Sequence, residues 1–179
     1  MKAMPNIRKA AKEYCKPDEI FMIIDGDDEM LGRQVLKLFN SVFQKQKAWF
    51  VYSNFLNLAH NVGYSRPFPP QTIKNNIYRK HPFVTSHLRA FYTKLLVNIK
   101  EEDLKDSTGN YFKAANDVAI CIPILEQSHT RVFYLPEMTY FYNSNTGQNN
   151  HKLRLKEQKA NDKYIRTKKA YKELKELND

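Results

Sequence analysis

The sequence predicts an α/β protein, a mixed sheet flanked by helices, and three observations predict it. Apolar runs of strand length alternate with stretches of helical period. One run, Ile20-Phe21-Met22-Ile23-Ile24, is continuously apolar, the pattern of a strand buried on both faces. It stops at a carboxylate cluster, Asp25-Gly26-Asp27-Asp28, and ligands gather at the carboxyl ends of strands in open α/β sheets.

The elements follow in order. Ile7, Ala10, Ala11 and Tyr14 share one helical face, so residues 6–15 are expected as a short amphipathic helix. Pro17 ends it, because the residue before proline avoids helical geometry. The apolar strand and acidic turn come next. Leu31, Val35, Leu38, Phe39 and Val42 then mark a second helix, and residues 48–53 a second strand. Residues 57–80 hold Pro67, Pro69, Pro70 and several Asn without a period, which predicts a long loop. Ser86 can cap a third helix carrying Leu88, Phe91, Tyr92, Leu95 and Leu96. Residues 100–112 are polar turns. Residues 117–127 are an apolar helix that Pro123 would kink or shift. Two short strands, 131–135 and 138–142, are expected to join at Pro136-Glu137. A loop over 143–150 leads to a long charged helix over 152–177. Residues 1–150 are thus expected as the globular unit and 151–179 as a basic C-terminal helix.

Composition narrows the class. Hydrophobic residues are 42% and charged residues 27%, which suits a folded core. The formal charge is +10, and the tail from His151 carries ten basic against five acidic residues, half of the excess. Basic proteins attract nucleic acid, acidic surfaces or phosphorylated small molecules. A nucleic-acid module is the weaker of these readings, because the tail alternates Lys with Glu and no RNA-binding signature is visible. The tail's apolar positions, Tyr164, Ile165, Tyr171 and Leu174, are expected to pack on the body or on a partner. Cys15 and Cys121 have no metal-ligand spacing and read as core thiols. No apolar run approaches the ~20 residues of a membrane span, and the first residues lack a signal-peptide core. A soluble protein of a reducing compartment, cytoplasmic by default, is the expectation.

Four segments carry candidate chemistry. In the acidic cluster, three carboxylates within four residues repel one another. A divalent cation would make that arrangement favourable, since Mg²⁺ and Mn²⁺ prefer oxygen ligands and share them with phosphates. The alternative is a solvated Asp-rich turn. Asp117 opens the later apolar helix, where it is either an N-cap or a general base for an acceptor hydroxyl. His87 and Arg89 stand beside the expected third helix's N-terminus, where they are either anion contacts or ordinary surface residues. His151, after an Asn/Gly-rich loop, either reaches a metal or phosphate or is simply solvated.

In order, these segments resemble the family-2-type glycosyltransferases of the GT-A fold. The resemblance lies in NIRKAAKEYCKPDEIFMIIDGDDEML, RKHPFVTSHLRAFYTKLL, YFKAANDVAICIPILEQS and VFYLPEMTYFYN, and it spans roughly residues 6–143. It implies a metal site at Asp25 and Asp27, supported by Asp28, that holds Mn²⁺ or Mg²⁺ against a nucleotide-sugar donor, a UDP-sugar first among them. It implies Asp117 as the base for in-line attack with inversion, and His87 and Arg89 as contacts to acceptor or diphosphate. The acceptor would be a hydroxyl on a glycan, protein or lipid. Only 19 residues precede the DGDD strand, so the family's N-terminal nucleotide-binding segment has no counterpart here. The expectation is a partial GT-A domain with an open sheet edge. A homo-oligomer or a partner would supply the missing strands. A non-catalytic interaction domain descended from a transferase is the competing expectation.

Overall fold

The computed structural model describes residues 3–57, 61–143 and 154–177. A five-stranded mixed sheet lies between helical layers. Its strands are β1 (Ile20–Ile23), β2 (Glu29–Met30), β3 (Phe50–Asn57), β4 (Arg89–Tyr92) and β5 (Val132–Tyr142), in the spatial order β1-β4-β3-β5-β2. β3 and β5 are parallel, and the other pairs are antiparallel. The helices are α1 (Ala3–Tyr14), α2 (Val35–Gln46), α3 (Pro70–Lys74), α4 (Thr93–Val97), α5 (Asn116–Ser128) and α6 (Leu155–Thr167).

Alternation along the strands sends side chains to two cores. Phe50, Tyr52 and Phe91 point to the larger one, with α1, α4, α5 and Ile165 of α6. Val51, Ala90, Leu135 and Tyr140 point to the other, against Val35, Phe39, Val42 and Phe43 of α2. β3 is therefore the strand covered on both faces, and its first five residues are buried.

That role was expected of residues 20–24, and the structure corrects it. β1 is an edge strand that pairs only with β4 among the described residues, and Ile20 and Ile24 are 37% and 41% exposed. An apolar run marks interior placement only if both edges and both faces find neighbours. Here both faces find neighbours, Phe21 and Ile23 on the larger core and Met22 on the other, but β4 takes only one edge.

Three further expectations change. Residues 89–92 form β4, not the first turn of a helix, because they complete the sheet between β1 and β3. Only 93–97 are helical. Residues 132–142 form one strand. The expected break at Pro136-Glu137 survives as a bulge, since Tyr52 faces Tyr134 and Asn54 already faces Met138. The loop over 57–80 contains α3 and a 3-10 turn at Tyr78–Lys80.

The tail helix is shorter than expected, and residues 168–177 leave it to run along the end of α5. Leu174 N donates to Gln127 O, and Tyr171 N donates to the Glu126 carboxylate. These acceptors outbid the helical propensity of the Lys/Glu-rich sequence. Three of the tail's four apolar positions face the body as expected: Ile165 is buried, and Tyr171 and Leu174 pack against the same core, whereas Tyr164 stays exposed with one edge on Phe112. Pro123 sits inside α5 without dividing it. Cys121 is a buried free thiol, whereas Cys15 is only partly covered. No helix among the described residues is long and apolar enough to cross a membrane.

Candidate functional site

β1, β3 and β5 run in one sense and β4 in the other, so the ends of the first three share one rim with the start of β4. Asp25 follows β1 on that rim, Arg89 opens β4 opposite Ile23, and Tyr140 and Tyr142 close β5. The acidic turn is fixed from below. The Tyr140 hydroxyl donates to Asp28 Oδ2 at 2.7 Å and accepts from Asp25 N at 3.1 Å. Asn143 N donates to Asp28 Oδ1 at 2.8 Å. Asp28 N donates to Asp25 O at 3.1 Å, closing the turn. Asp28 is thus the anchor of the turn, while Asp25 and Asp27 are exposed residues of it. A Cβ at Gly26 would meet nothing within 4 Å, so open space lies in front of the turn.

The Asp25 carboxyl is raised above the ordinary 3.8. Desolvation is the main cause, Arg89 opposes it, and the charges of Asp28, Asp27 and Asp117 add to it. Asp28 is raised too, first by desolvation, against its hydrogen bonds from Asn143 and Tyr140. Asp25 and Asp117 are ninety-two positions apart in sequence and still feel one another.

Arg89 joins them. It is only 5% exposed, and its Nη1 lies 3.5 Å from Asp117 Oδ2. Burial works against its charge, but surrounding groups, Asp117 and Asp25 among them, more than compensate and raise its pKa. Its Nε and Nη1 meet no hydrogen-bond acceptor at ideal geometry, and the charge of Nη1 is matched by the Asp117 carboxylate. The guanidinium is a buried positive charge beneath an acidic rim, with Asp117 as its nearest counter-charge. Asp117 lies in the first turn of α5, with Ala115 in the capping position, so it is not the N-cap. Its Oδ1 accepts from Val118 N at 2.9 Å, and its side chain is 30% exposed.

His87 and Arg89 are therefore not surface residues beside a helix N-terminus. His87 is stacked on Tyr140 with ring centres 4.8 Å apart, and on Tyr142 at 5.8 Å. Arg89 Nη2 donates to its Nδ1 at 3.2 Å. Burial, helped by Arg89, holds the imidazole well below 6.5 and so neutral. The unfolded chain binds this proton near 6.5 and the folded chain does not. Stability from His87 is complete above 6.5 and is lost as pH falls toward the folded value, by up to about 1.4 kcal/mol per pH unit. His87→Phe should keep the stacking, cost some stability at every pH by idling Arg89 Nη2, and flatten this acid decline. Denaturation midpoints from pH 7.5 to 5 check it, and parallel profiles for the two proteins would refute it.

The structure thus brings together Asp25, Asp27, Asp28, His87, Arg89 and Asp117. His151 lies outside the described residues. Tyr140 and Tyr142 complete the site and were missed, because an aromatic strand reads as core until its partner across the sheet is known. Beside Asp117 opens a cleft of about 530 Å³, walled by Tyr64, Phe83 and one side of α6.

A divalent cation can be tested against this donor set. Among the described residues, no group of three or more Asp, Glu, His or Cys side chains is arranged to hold one. Two exposed carboxylates, Asp25 and Asp27, remain, the number that Mg²⁺ takes where phosphate and water complete the sphere. No protein-family model matches the chain, and no curated protein sequence does either.

Proposed function

We propose that the chain is the metal-site and acceptor-side portion of a GT-A-type, family-2-like glycosyltransferase. It would transfer a sugar with inversion from a UDP-sugar to a hydroxyl acceptor, with Mn²⁺ or Mg²⁺ as cofactor. One observation carries the reading: Asp25, Arg89 and Asp117, distant in sequence, form one electrostatic cluster at the strand-end rim. Packing alone gives no reason to gather them there.

Asp25 and Asp27 would hold the cation, which would supply charge neutralisation to the diphosphate. Arg89, buried beneath the rim, would add positive potential to the same place. Asp117 takes the proton of the acceptor hydroxyl as its oxygen bonds to the anomeric carbon. The bond from that carbon to the diphosphate oxygen breaks with its electron pair, and the nucleoside diphosphate leaves. Arg89 restrains the Asp117 carboxylate from one side, leaving its exposed part for the hydroxyl.

The alternative is a non-catalytic interaction domain derived from a transferase. It is favoured by the commitment of Asp28 to Tyr140 and Asn143, which leaves two exposed carboxylates. Calorimetric titration with UDP separates the two. Metal-dependent binding that Asp25→Asn abolishes supports the transferase. Equal binding by the variant, or binding indifferent to the metal, favours the interaction domain.

A further inference from the structure

The cleft beside Asp117 points beyond the reaction class to the acceptor. Its volume, about 530 Å³, suits one or two sugar rings. Tyr64 and Phe83 line it, and aromatic faces suit the C–H faces of sugar rings. Its charges are uneven. Asp162 is already neutralised, since Arg166 Nε lies 3.0 Å from its Oδ1. Arg166 is itself tied down, because Nη1 donates to Arg79 O and His81 O, each at 2.7 Å. Lys80 and Lys159 also line the cleft, and neither forms an ion pair among the described residues. Asp117 is thus the one acid of the lining not engaged inside the cleft, with two uncommitted ammonium groups sharing the walls.

We infer that this cleft binds an anionic saccharide, one bearing a carboxylate or phosphate group, with that group on Lys80 and Lys159 and a hydroxyl toward Asp117. The inference rests on the transferase reading for the word acceptor, but binding itself requires neither donor nor metal. A neutral sugar would make no use of these two exposed ammonium groups, and so would bind less well.

The experiment titrates the full chain at low salt, without metal or donor. The probes are a glucuronate-containing disaccharide, a phosphorylated disaccharide and their neutral counterpart. At least one acidic probe should bind about tenfold more tightly than the neutral one. Lys80→Gln with Lys159→Gln should remove that advantage, two screened contacts together accounting for it. Whichever acidic probe keeps the preference identifies the anionic group. Lys172→Gln with Lys175→Gln tests general attraction to the basic tail and should change nothing. Because neither donor nor metal is present, a failed transferase reading would not mimic a failed cleft. Equal affinity for acidic and neutral probes, an effect of the tail substitutions as large as that of the cleft pair, or no binding of any probe would overturn the proposal.

Discussion

Asp117→Asn is expected to lower sugar transfer by about 10²–10⁴-fold, the usual worth of a positioned general base. The amide is isosteric with the carboxylate and still offers an oxygen to Arg89, whose Nη1 is 3.5 Å away. Loss of stability should therefore stay within about 1–2 kcal/mol. Metal-dependent binding of UDP should survive, because the substitution leaves Asp25 and Asp27 in place. The measurement is release of UDP from UDP-sugars in the presence of Mn²⁺ and a saccharide acceptor, with melting and UDP titration alongside. A variant with undiminished turnover removes Asp117 from the chemistry.

Glu126→Ala should produce the largest loss of stability in the molecule, about 3–5 kcal/mol. Glu126 is 1% exposed and receives Arg79 through two bonds of 2.7 Å, Nε to Oε1 and Nη2 to Oε2. Tyr171 N also donates to Oε2 at 2.9 Å, and Arg79 Nη1 donates to Ile165 O at 2.6 Å. This one ion pair fastens α5, the 3-10 turn, α6 and the segment after it. Removing the carboxylate leaves a buried guanidinium unpaired and releases the tail. For a chain of this length the melting midpoint should fall by roughly 6–20 °C. Protease should then cut first within 168–177. Replacing both partners, Arg79→Met with Glu126→Leu, should cost much less, since no charge is left buried. A midpoint within about 1 °C of wild type for Glu126→Ala would show that the pair carries little.

These two residues show what sequence can and cannot convey. Asp117 and the DGDD turn were legible, because acidic residues next to apolar runs conflict with packing and so ask for an explanation. α1 and α2 were legible from their periodicity and α5 as an apolar run opened by an acid, each within a few residues at its ends. Glu126 and Arg79 were not, because an ion pair between residues forty-seven positions apart leaves no local pattern. Arg89 was found for the wrong reason: the hydrophobic spacing from Leu88 to Leu96 fits a helix as well as a strand followed by a short helix. Only the vacancy between β1 and β3 decides it. The burial of β3 and the exposure of β1 depended equally on neighbours. Each is an apolar run, and strand order, which no single run encodes, settles which one lies inside.

Crowding of Asp25, Asp27 and Asp28 is what a bound cation would relieve, and Asp25→Asn reads that most directly. Melting curves of the wild type and this variant are compared with and without Mn²⁺ and UDP together. Without them, the variant should melt higher, since desolvation and like charges make the ionised Asp25 unfavourable in the folded chain. With them, the wild type should rise and the variant should stay where it was, narrowing or reversing the gap. An equal rise in both proteins, or none in the wild type, would contradict a cation–diphosphate site at this turn.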